Sequence, residues 1–125
     1  MSSIKDIAEK LRKMELRLSE KPNEKPFKFF GLFLRQDYDK WDLLVSAEWL
    51  DKDVRSGVES LVKEINKTLD QEEILKLSRI VPYPTGDDIP NAFAKAISTN
   101  HGLVEVRDSN FFGIPIKEAF IITAR

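Results

Sequence analysis

Two apolar runs separated by five polar residues constrain this chain more than anything else in it. Residues 27–35 read FKFFGLFLR and residues 41–49 read WDLLVSAEW, with QDYDK between them. The first run is nearly unbroken and rich in aromatics, the pattern of a strand buried on both faces. The second alternates. Trp41, Leu43, Val45, Ala47 and Trp49 fall on one side, and Asp42, Leu44, Ser46 and Glu48 on the other. A connection this short makes the pair an antiparallel hairpin.

Before the hairpin, Ile4, Ile7, Ala8, Leu11, Met14 and Leu18 recur at three- and four-residue steps. The spacing predicts an amphipathic helix over residues 1–18, with Ser3 and Asp6 at capping-box separation. Its polar face carries Lys5, Lys10, Arg12, Lys13 and Arg17, interrupted by Glu9 and Glu15, and reads as a solvated surface. Residues 19–26 (SEKPNEKP) are polar with two prolines and read as a linker to a core spanning 27–125.

After the hairpin, Asp51 or Asp53 caps a second helix. Its stripe is Val54, Val58, Leu61, Val62, Ile65 and Leu69, with Gly57 as a point of close contact. Asp70 and Glu73 mark a short helical turn, and residues 77–81 a third strand closed by PYPTG. A third helix runs from Asp87-Asp88 to about Thr99, and Gly102 suits its left-handed exit. Residues 103–107 and 118–123 are the last strands. An aromatic loop, 109–115, separates them, because Pro115 cannot donate to a central ladder. Helix, strand, strand, helix, strand, helix, strand, strand implies an α+β chain: about five strands in a mixed sheet with helices packed on it.

The chain's 125 residues suit a single domain, and 42% apolar content supplies its core. Twenty basic residues against 21 acidic ones leave a net charge of −1, so no overall attraction draws it to nucleic acid or an anionic membrane. The absence of cysteine excludes disulfides, thiolate catalysis and zinc–sulfur sites. Lys5, Asp6, Glu9 and Lys10 break the apolar stretch a signal peptide needs, and no run nears the ~20 residues of a membrane span. A cytoplasmic domain is expected.

The segments FFGLFLR (29–35) and KWDLLVSAEWL (40–50) resemble a hairpin pattern of small prokaryotic domains of unassigned function. The resemblance covers about a fifth of the chain and rests mostly on apolar positions. It implies a prokaryotic, cytoplasmic origin and brings no activity with it.

Candidate chemistry is sparse. Asp37-Tyr38-Asp39 opens like a calcium loop and Glu48 falls at its twelfth position, but the sixth is Asp42 instead of glycine, and a strand cannot wrap an ion. Asp42 could serve a nuclease-type metal site. Glu48, six residues along the same expected strand, would then lie about 20 Å away, so partner acids would have to come from Glu105, Asp108 or Glu118. The 82–88 loop joins a strand to a helix where phosphates often bind, yet one glycine, no lysine and Asp87-Asp88 argue for capping, with Tyr83 as a conceivable ligand contact. His101 is the only histidine, and Ser46 and Ser78 lack a nucleophile elbow.

No catalytic, cofactor-binding or metal residue is therefore assigned. The expected function is a non-enzymatic interaction or accessory domain, acting through self-association or a protein partner. The alternative is a divalent-metal phosphodiester hydrolase built on Asp42. Candidate interface residues are Ile4, Ile7, Leu11, Met14 and Leu18, whose stripe must be buried somewhere, and Phe111 and Phe112 in the aromatic loop. The stripe can fold back on its own sheet or join a second copy in a homodimer, and the dimer is the expectation.

Overall fold

A computed structural model describes residues 3–111 and 113–125. The elements in chain order are α1 (Ile4–Ser19), β1 (Phe29–Arg35), β2 (Trp41–Ser46), α2 (Glu48–Lys52), α3 (Val54–Thr68), α4 (Gln71–Ile74), β3 (Leu77–Pro82), α5 (Asp88–Ala96), β4 (Val104–Phe111) and β5 (Ile114–Ala124). The five strands form one mixed sheet in the order β3-β2-β1-β5-β4. All neighbours are antiparallel except β2 and β3, which run parallel. A parallel pair needs a crossover, and α2, α3 and α4 supply it. No described helix is long and apolar enough to cross a membrane.

Local chemistry sets the helix starts. Ser3 and Asp6 exchange hydrogen bonds in a capping box, as do Asp70 and Glu73. Asp53, not Asp51, caps α3, and Asp87 caps α5. A Cβ on Gly57 would stand 2.5 Å from Leu50 Cδ2, so the buried Leu50 side chain fills the space a larger residue would need.

The sheet is a middle layer. Phe30, Leu32, Leu43, Val45, Phe120 and Ile122 pack on one side with α1 and α3. Phe29, Phe33, Ala119 and Ile121 pack on the other with Phe93 of α5. That arrangement explains the unbroken apolar run of β1, whose alternate residues serve two cores.

Several expectations need correction. The alternation of residues 41–49 stops at Ser46, where Ala47 caps α2. Trp49 has left the strand: its Nε1 donates to Pro26 O at 3.0 Å, and its ring meets Phe27 edge-on. Ser46 and Asp42 are buried, so the supposed polar side of β2 is closed as well, because helices flank the sheet on both sides. The segment 109–115 is not a loop between strands. Asn110 pairs with Pro115 and Phe111 with Ile114, so β4 and β5 form one long hairpin closed by Gly113 at φ 81°. Pro115 costs no ladder bond there. Its carbonyl, and the side its N–H would occupy, faces Gln36, past the last β1 pairing of Arg35 with Ile116. Finally, α5 ends at Ala96 and the left-handed residue beyond it is His101, not Gly102.

The N-terminal stripe takes the intramolecular route. Ile7, Leu11, Met14 and Leu18 are buried in the core shared with β1 and β2, and Ile4 packs against it. The nearest apolar surface for a helix this short is its own sheet. Residues 19–26 are no slack tether, since Lys25 N donates to Leu18 O at 2.7 Å and Asn23 Nδ2 to Arg17 O at 3.1 Å. Ile7, Leu11, Met14 and Leu18 are thus consumed by the core, and Ile4 is partly buried against it. Phe111 packs on Phe33 and Phe93 instead of forming an exposed patch, and Phe112 lies outside the described residues.

Candidate functional site: an arginine-flanked apolar groove

The two faces of the sheet are unequally covered. Two long helices, α1 and α3, close one; α5, nine residues long, lies on the other. Beside α5 a groove remains, walled by Phe33, Leu44, Val81, Ile89, Phe93 and Phe111. Ile114 and Ile116 continue the lining, and Ile114 is 48% exposed. The rings of Phe33, Phe93 and Phe111 in its wall pack on one another, and Phe33 and Phe93 also on Phe29, with centroid separations of 4.7 to 6.1 Å.

One end of the groove is charged. Parallel pairing sets Asp42 of β2 beside Arg79 of β3, and Arg35 closes β1 nearby. Arg79 donates from Nε to Asp42 Oδ1 at 3.2 Å and from Nη2 to Oδ2 at 3.4 Å. Arg35 Nε pairs with Oδ2 at 3.2 Å, while its guanidinium stacks on Tyr38 at 3.9 Å. One buried carboxylate thus fixes two arginines, and the trio keeps a charge of about +1. Tyr83 lines the same groove. Burial pushes its phenol above the ordinary range, and the Asp87 charge adds to that. It stays protonated as a potential donor.

The cavity volume is about 70 Å³. A cavity of roughly 150 Å³ accepts benzene, and sites for drug-sized ligands run to roughly 300–1,000 Å³. The groove therefore suits one aliphatic side chain.

Two other places were candidates. An open trough of about 660 Å³ is lined by Trp49, Thr85, Lys28, Lys52 and Arg125 together with Glu24 and Glu48. Three basic and two acidic side chains share its lining, and Arg125 is already engaged by Phe27 O and Asn100 Oδ1. The second is a buried polar cluster: Glu15 Oε1 lies 2.5 Å from His101 Nδ1, and Thr123 Oγ1 donates to Oε2 at 2.9 Å. Three residues of catalytic type meet there, but the hydroxyl donates to the carboxylate and not to the imidazole, so the histidine is not placed to activate it. The cluster ties α1 to β5.

The acids singled out in the sequence stay apart. Asp37 and Asp39 are exposed in the β1–β2 connection, and Glu48 and Asp53 are exposed at the starts of α2 and α3. Asp51 holds Thr85, and Glu105 pairs with Arg107. Glu48 belongs to α2, not to the strand of Asp42, and a cation on Asp42 would have to displace a guanidinium. Among the described residues, no three of His, Asp and Glu are grouped to hold an ion. Sequence reasoning missed Arg35, Arg79, Leu44 and Ile114. The available signal was a charge inside the apolar segment LSRIV, together with one closing FKFFGLFLR.

No family model matches the chain, and no curated protein or solved structure is detectably similar to it.

Proposed function

We propose that this chain is a non-enzymatic interaction domain that binds a partner protein through the arginine-flanked groove beside α5. The observation that carries the reading is the unequal cover of the sheet, which leaves an apolar groove with half-exposed Ile114 at its edge. Its one-side-chain volume favours anchoring a peptide over enclosing a substrate. The hydrolase reading has less support, because both oxygens of Asp42 are engaged by arginines. The test is selection of displayed random peptides on the full chain. Recovered peptides should lose binding to Ile114→Asp, which places a charge in the groove without touching the core. Equal binding to that variant, or no recovered binder, contradicts the proposal.

Self-association is the second reading, and the edge strand β4 favours it. Antiparallel pairing of two copies about Val106 would set Glu105 opposite the partner's Arg107, a self-complementary pattern. Light scattering during size exclusion at tens of micromolar decides it. A dimer that Arg107→Glu dissociates supports this reading, and a 14.4 kDa species rejects it.

A further inference from the structure

We infer that the groove recognises the C-terminal residue of a partner chain, taking its apolar side chain between β2, β5 and α5 and its free carboxylate at Arg35 and Arg79. The inference rests on the interaction reading above and adds the chemistry of the occupant. Three observations carry it. First, the cavity has room for one side chain, so apolar group and charge must come from the same residue or from immediate neighbours. A C-terminal residue carries both on one Cα. Second, the charged end is built for an anion. Asp42 holds the Nε of both arginines, while Arg35 Nη1 and Nη2 and Arg79 Nη1 donate no hydrogen bond among the described residues. Guanidinium forks match carboxylates better than any other side chain does. Third, Asp42 does not cancel this field, because two cations face one anion, and among the described residues no other acid lines the groove. An internal apolar residue beside an acidic one would present the same chemistry from two residues instead of one, and the comparison of free acid with amide separates the two sources.

The test uses the full chain and peptides anchored through their N-termini. Each carries five randomised positions and one defined last residue, as the free acid or the amide. Binding should be confined to peptides ending in Val, Leu, Ile or Met, with a terminal Phe too large for the groove, and amidation should weaken it at least about tenfold, the loss of a charge-assisted hydrogen bond. Arg79→Gln should narrow the difference between acid and amide, while Ile114→Asp, which changes no buried contact, should remove binding of both. Equal binding of acid and amide overturns the C-terminal inference, but leaves the groove reading standing if Ile114→Asp still abolishes binding. If no peptide binds at about 1 mM, the inference falls, and the displayed-peptide selection then decides the groove separately.

Discussion

His101 Nδ1 lies 2.5 Å from Glu15 Oε1, a contact between residues 86 positions apart. Glu15 has no exposed surface, and its only other side-chain partner among the described residues is the Thr123 hydroxyl. Removing His101 strands a buried carboxylate, which should cost about 3 kcal/mol of stability. Glu15→Gln keeps the shape and an acceptor for Thr123 and should cost less. Urea unfolding of both variants at neutral pH checks the order. Equal losses would mean that a stranded charge is not what makes the removal of His101 costly.

Strand β2 makes a sharper test of burial. Val45 and Ser46 both have no exposed surface, although they point to opposite faces. Val45→Asp and Ser46→Asp should therefore both be severely destabilising, each burying an unpaired charge. Ser46→Ala should be neutral, or stabilising by up to about 1 kcal/mol, because its Oγ is buried without a hydrogen-bond partner. A mild Ser46→Asp in thermal melts would show that this face of the strand is open to water.

Deleting residues 1–20 should unfold the domain. Ile7, Leu11, Met14 and Leu18 are all buried. At about 2 kcal/mol each, they contribute roughly 8 kcal/mol, as much as the net stability of many domains. Circular dichroism of the truncated chain should show loss of cooperative unfolding. A folded, monomeric truncation would mean that α1 is a detachable arm.

Asp42 holds the two arginines rather than acting on them. Asp42→Asn raises the local charge from about +1 to about +2 but releases Arg35 and Arg79 from their fixed geometry, and the lost positioning should outweigh the added charge, weakening peptide binding several-fold while lowering stability by about 1–3 kcal/mol. Calorimetric titration of a selected peptide, beside a thermal melt, separates the two effects. Unchanged affinity at lowered stability would confine Asp42 to the fold.

Much of the fold was legible in local pattern. The hairpin of Phe30 and Val45, the capping box at Ser3 and the stripe from Ile7 to Leu18 each state their structure within a few residues. Where legibility failed, two local rules competed. Trp49 continued an alternation that α2 had already ended, and Pro115 looked like a loop residue because its place beyond the end of β1 depends on register. The groove was hidden for a different reason. Asp42 meets Arg79 only through a parallel pairing across three intervening helices, and Glu15 meets His101 only once α1 has docked on the sheet.

Amide shift mapping of the ¹⁵N-labelled full chain with a selected peptide tests the groove most directly. The expected shifts fall on Leu44, Val81, Tyr83, Ile89, Ile114 and Ile116, leaving α1 and α3 unmoved. Shifts concentrated on α1 and α3, or along β4 from Val104 to Asn110, would place the interaction elsewhere and contradict it.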